Sequence, residues 1–87
     1  MRYRIEYRRS VEKDLRKVPS HMRRVLVDAI TALADDPRPH GGTKIRGAEY
    51  TYRIRRGDYR IIYQVYDDRV VVEVIKVGHR KDVYRDC

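Results

Sequence analysis

At 87 residues the chain has room for one domain, whose folding removes roughly 60–70% of the surface exposed by the unfolded chain, and a second catalytic domain is excluded. Lys and Arg number 21 against 13 Asp and Glu, a net charge of +8, which on so small a domain favours a polyanion or an acidic protein as partner. No apolar run approaches the ~20 residues of a spanning helix, the opening MRYRIEYRR has no signal-type apolar segment, and Cys87 as the one cysteine excludes an intrachain disulfide or a multi-cysteine metal site. A cytosolic protein with neither metal nor organic cofactor is expected.

Tyr3, Ile5 and Tyr7 alternate with Arg2, Arg4, Glu6 and Arg8, the period of a half-buried strand. Ser10 is placed to cap the helix that follows. Its Val11, Leu15 and Val18 fall at i, i+4 and i+7, and Pro19 ends it. A second helix is predicted from Ser20, with Met22, Val25, Leu26, Ala29, Ile30 and Leu33 as its apolar stripe and Arg23, Arg24 and Asp28 outside it. Residues 35–42, DDPRPHGG, form a polar loop able to move or to touch a ligand. From about Tyr50 to about Val77 the pattern is a three-stranded meander with two-residue turns at Gly57-Asp58 and Asp67-Asp68. The class is α+β: strand, helix, helix and three strands, with both helices on one face of a largely antiparallel twisted sheet, in a single domain over residues 1–87.

Closing the first hairpin at Gly57-Asp58 pairs Arg56 with Tyr59, Arg55 with Arg60, Ile54 with Ile61, Arg53 with Ile62 and Tyr52 with Tyr63. Tyr52, Ile54, Ile61, Tyr63, Val65, Val70, Val72 and Val74 then share the helix-covered face. Arg53, Arg55, Arg60, Ile62, Gln64, Val71, Glu73 and Ile75 share the open one. Arg55 and Arg60 are directly opposed like charges, an arrangement that costs a few tenths to about 1 kcal/mol. Solvated arginines whose stems cover apolar surface, balanced by Glu73, would explain the pattern without a function. An apolar floor of Ile62, Val71 and Ile75 between cationic walls instead suits a strand of nucleic acid, because guanidinium groups fork onto phosphate and stack on unpaired bases.

KIRG at 44–47, YRIRRGDYRIIYQVYDD at 52–68 and VVVEVIKVGHRKDVY at 70–84, behind a strand–helix–helix opening, together resemble the RelE branch of the RelE/ParE superfamily, the toxins of type II toxin–antitoxin modules. The likeness covers almost the whole chain. It implies a RelE-like fold, entry into the ribosomal A site, cleavage of messenger RNA there, and neutralisation by a cognate RelB-like antitoxin. ParE-type members on a similar fold poison DNA gyrase, which is the first alternative; a non-catalytic RNA- or ribosome-binding protein is the second. The family's functional basic positions fall on Lys44, Arg46, Arg53, Arg55, Arg60 and Arg80, and its C-terminal tyrosine on Tyr84. Arg56, His79 and Lys81 extend the RNA- or ribosome-binding set.

The implied chemistry is metal-free attack of a ribose 2′-hydroxyl on the adjacent phosphorus, which needs a base, cations around the phosphorane and an acid at the 5′-oxygen. Of His21, His40 and His79 only His79 lies near these positions, so a two-histidine mechanism is not expected. Tyr84 is the candidate base. A phenol of pKa about 10 is a poor base at neutral pH, but neighbouring guanidinium groups favour phenolate. Some family members carry lysine where this chain has Arg53 and Arg55, and arginine cannot exchange the proton that lysine can, so these two are expected only to stabilise charge. Arg60 and Arg80 are expected to clamp the phosphate, and Lys44 and Arg46 the RNA or ribosomal backbone. Strict alternation aims His79 rather than Arg80 at the open face, unless Gly78 supplies a bulge. His79 is open to three readings, an acid, a stacking partner or a solvated loop residue, of which the last is preferred. Asp67 and Asp68 read as turn residues beside Arg69.

Overall fold

The N-terminal alternation forms strand β1 (Arg4–Tyr7), followed by helices α1 (Arg9–Arg16) and α2 (Ser20–Ala32), then β2 (Thr43–Lys44), β3 (Thr51–Arg56), β4 (Tyr59–Tyr66) and β5 (Val71–His79). The structure is a computed structural model that describes residues 2–40 and 42–79. The five strands make one sheet in the order β1-β5-β4-β3-β2, with β1 parallel to β5 and every other pair antiparallel. Val11 and Val18, with Leu26, Ile30 and Leu33 from and after α2, pack on Ile54, Ile61, Tyr63, Val65, Val72, Val74 and Val77. This is the expected helix-covered face, and it leaves the other face to the arginines.

The start of α1 differs from expectation. Arg8 is its N-cap, without a side-chain cap, and Ser10 lies inside the first turn. The reason is in the sheet: the Arg8 N–H still donates to the Val74 carbonyl at 2.9 Å, so the strand runs directly into the helix. α2 begins at Ser20 as predicted, but its buried stripe is narrower, since Val25 is 42% exposed while Leu26, Ala29 and Ile30 are buried. Arg23, expected merely outside the stripe, donates to the carbonyls of Leu15 and Val18, both at 2.9 Å. It thereby satisfies backbone acceptors left at the end of α1 and locks the corner between the helices.

In the meander, the Gly57-Asp58 turn and the whole β3–β4 register match expectation, with Gly57 at φ +60° as such a turn requires. The second turn does not match. It spans residues 67–70, so Tyr66 faces Val71 and Val70 leaves the sheet at φ +54°. Because the pairing has moved by two residues, the remaining side chains keep their faces. A bulge also sits earlier than Gly78. Ile62 pairs with Lys76 and Tyr63 with Val74, which leaves Ile75 as the extra residue. Beyond it the alternation flips, so Val77 enters the core opposite Ile61 and Gly78 faces Arg60. Finally, the two-residue β2 adds an edge strand absent from the sequence reading. Among the described residues no helix is long and apolar enough to cross a membrane.

Candidate nucleic-acid interface

Strand β3 presents Arg53 and Arg55, and β4 presents Arg60, on the sheet face away from the helices, with Arg55 directly opposite Arg60. The two opposed arginines differ in environment. Arg55 is exposed, whereas Arg60 is only 8% exposed, with its neighbour on β5 being Gly78, which has no side chain to occupy the adjoining space. The Arg60 Nη1 donates to the Tyr59 carbonyl at 3.2 Å and marginally to that of Gly57 at 3.5 Å. Its Nε is buried and has no hydrogen-bond partner among the described residues. A permanently charged group with a buried unsatisfied N–H is costly in the protein alone, and an anion approaching that edge would remove the cost.

The expected apolar floor is not open. Ile62 and Val71 are each 4% exposed and Ile75 is half-buried, so the face offers polar edges and guanidinium groups rather than a greasy track. Gln64 donates to the Thr51 hydroxyl at 3.2 Å, continuing the polar row beyond Ile62. Glu73 makes its ion pair with an arginine outside the trio. It lies 3.5 Å from Arg8 at the β1 side of the sheet.

Several expected members do not gather with the trio. Arg56 pairs with Tyr59 and Lys44 with Tyr52, both partners packed against the core, so strand alternation sets Arg56 and Lys44 on the opposite side from Arg53 and Arg55. Arg46 is exposed in the turn between β2 and β3. His79 is not a solvated loop residue: it ends β5, half-buried, with its ring edge-on to Tyr59 at 5.7 Å between centroids. The bulge at Ile75 is what turns it to the helix side. Arg80, Lys81 and Tyr84 lie outside the described residues.

A second arginine site escaped the sequence reading. Arg38 donates to both carboxylate oxygens of Asp67, at 3.2 and 2.8 Å, and through Nε to the Tyr52 hydroxyl at 3.1 Å. Tyr3 donates to the same Asp67 at 2.5 Å, and the Tyr63 hydroxyl donates to the Pro37 carbonyl at 2.8 Å. The Arg38 and Tyr3 hydrogen bonds hold the Asp67 carboxyl below the usual carboxylate range, while burial pushes the Tyr63 phenol up to about 12. The loop expected to move or touch a ligand is thus tied to the sheet, and Asp67 is its anchor rather than a plain turn residue. Nothing in residue spacing foretells this, because Arg38 and Asp67 are far apart in the chain; the prolines on either side of Arg38 are the one local sign of a fixed loop.

The family described as "ParE toxin of type II toxin-antitoxin system, parDE" matches residues 5–84. Toxin RelG of Mycobacterium tuberculosis is 31% identical over 86 residues, which cover 98% of this chain and 99% of that protein. The mRNA interferase toxin RelE of Escherichia coli K12 is 36% identical over 91 residues, covering 100% of this chain and 95% of that protein. Among solved structures, an archaeal RelE–RelB complex from Pyrococcus horikoshii superposes with a TM-score of 0.82 at 30% identity, covering 94% of this chain and 99% of that chain.

Proposed function

The chain belongs to the RelE/ParE superfamily of type II toxin–antitoxin toxins, and we propose that it is a ribosome-dependent endoribonuclease, cleaving messenger RNA in the ribosomal A site in the cytosol. The observation that carries this reading is the buried Arg60 guanidinium, whose Nε has no partner among the described residues, flanked on the same face by Arg53 and Arg55. In the proposed reaction the 2′-oxygen of a ribose forms a bond to the adjacent phosphorus and the bond to the 5′-oxygen breaks. The 2′ proton goes to a base and another proton reaches the leaving oxygen, giving a cyclic phosphate and a 5′-hydroxyl. Charge accumulates on the phosphorane oxygens at mid-reaction, which is where fixed cations help most. Arg60 is assigned to those oxygens. Arg53 and Arg55 hold the flanking backbone, since arginine keeps its proton. Tyr84 as base and Arg80 as a second clamp follow from the family resemblance alone. No metal is assigned a role.

An active site with cations but no assigned acid needs help in positioning, and holding reactants in line is worth several kcal/mol in favourable cases. The ribosome is assigned that role. The partner that neutralises the toxin is a RelB-like antitoxin, supported by the relatives crystallised as RelE–RelB complexes and by the +8 charge, which suits an acidic and apolar covering segment.

The test is translation in vitro with mapping of messenger ends. Cuts within A-site codons are expected from the wild-type protein, with little cutting of the same messenger without ribosomes and no change after the toxin is treated with a chelator. Equal cleavage of naked messenger would remove ribosome dependence from the proposal. Because the matching family is named for ParE, the same preparation should also be assayed for gyrase supercoiling: inhibition there, with intact messenger, would transfer the chain to the other branch.

A further inference from the structure

The arginine face does not end at Arg60. Along β4 the outward positions run Arg60, Ile62, Gln64, Tyr66, a span of about 20 Å, and the far end carries an aromatic group that the proposed reaction leaves unused. The Tyr66 hydroxyl donates to Gln64, which in turn donates to Thr51, so the row is continuous. On one side of the Tyr66 ring lies the Arg69 guanidinium, 4.3 Å from its centroid. The Tyr50 ring lies 6.1 Å from it, tilted by 35°. Tyr50 is 56% exposed, the largest exposure among the exposed large hydrophobic residues described, and its backbone sits at φ +61°. A bulky aromatic residue rarely adopts that conformation, and strain of this kind collects where a side chain is needed in a particular place. Glycine would relieve the backbone, so the local conformation gives no reason for tyrosine here, and its contact with Tyr66 leaves more than half of the residue exposed.

We propose that Tyr50, backed by Tyr66 and Arg69, is a stacking platform for one unpaired nucleobase of the bound messenger, a few nucleotides from the cleaved phosphate. The inference rests on the RNA reading of the arginine face. An aromatic ring beside a guanidinium is the arrangement that holds single-stranded nucleic acid without reading its sequence. Asp68 lines the same depression, and Asp67 beside it is occupied by Arg38 and Tyr3. A carboxylate there repels phosphate but accepts an amino group, so the platform takes a base and the backbone passes along the arginines.

The experiment uses the full chain on programmed ribosomes. Tyr50→Gly removes the ring and suits the positive φ, so its melting temperature should not fall; Tyr50→Phe keeps the ring. The toxin concentration for half-maximal cleavage should rise about five- to tenfold in Tyr50→Gly, near the lower end for loss of one base stack, and stay near wild type in Tyr50→Phe. Independently, messengers with a single abasic nucleotide are scanned against the wild-type protein. One position should reproduce the loss, and Tyr50→Gly should add nothing at that position. Wild-type cleavage indifferent to every abasic position, or Tyr50→Gly cleaving as wild type does, overturns the platform. If cleavage is unchanged but antitoxin binding weakens, the patch belongs to the protein partner and the proposal is equally overturned. A wild-type protein that cuts no ribosome-bound messenger brings down the ribonuclease reading itself, and the platform with it.

Discussion

Arg38 and Arg60 both lie against the same sheet, yet they stand in opposite conditions. Arg38 has two carboxylate oxygens and a phenol for its donors and lies 5.3 Å from the Tyr52 ring centroid. Arg60 is more deeply buried and, among the described residues, has only backbone carbonyls as acceptors and one N–H without a partner. The first is a completed structural site, in which charge is cancelled within the protein. The second is left open among the described residues, with a charge that an incoming anion would complete. A count of arginines on the hairpin cannot make this distinction, whereas the hydrogen-bond inventory does.

The largest effect expected from breaking the contrast is at Arg60. Arg60→Met keeps the apolar stem and removes the guanidinium, so cleavage of ribosome-bound messenger should fall about 10²–10³-fold, the usual cost of losing a donor to developing charge. The melting temperature, read on the same preparation, should hold or rise. A variant that melts well below wild type yet cleaves normally would make Arg60 another Arg38. Next comes Arg55→Thr, which relieves the opposed like charges and installs a good strand residue. Stability should be unchanged or raised by up to about 1 kcal/mol. Its exposed charge acts through more solvent than Arg60, so cleavage should fall by roughly tenfold, about 1.4 kcal/mol of transition-state stabilisation.

On the structural side the expected effects are on stability and not on cleavage. Tyr63→Phe leaves the Pro37 carbonyl without its donor, which should cost about 1–2 kcal/mol and lower the melting temperature by roughly 4–15 °C for a chain of this size. Cutting per folded molecule should persist; its loss would show that the loop clasp serves the arginine face. The smallest effect is the pH dependence of Asp67→Asn. The Asp67 carboxyl is held below its ordinary value in the folded state, so its contribution is present at neutral pH and lost as pH falls through that lowered value. The gap in melting temperature between wild type and Asp67→Asn should therefore be widest near neutrality and close below about pH 4. A gap that stays constant into acid would mean that Asp67 acts by packing and not by charge.

Much of this molecule could be read without coordinates, because the informative signals were local. Alternation through residues 52–66 and a Gly-Asp turn set the β3–β4 register, and with it the placing of Arg53, Arg55 and Arg60 on one face. The i, i+4, i+7 spacing placed α1, and Pro19 separated it from α2. The misplacements share a cause. Alternation carried through a turn of unknown length misplaces Val70, and carried past an unmarked bulge it misplaces His79, since one extra residue reverses every side chain beyond it. The edge strand β2, which sets the side of Lys44, is not legible in the sequence because two residues have no period to read.

What the sequence alone determined, then, was the order of elements, the two-faced sheet and the arginine trio, since each follows from backbone periodicity over a few residues. Tertiary structure decided which arginine meets a carboxylate and which meets only backbone carbonyls among the described residues. Arg38 meets Asp67 across 29 positions of sequence, and Tyr63 meets Pro37 across 26. Arg60 lies buried beside Gly78 only because Ile75 bulges out of register on the neighbouring strand. Burial and partnering depend on which distant segments share space, and no local period encodes that.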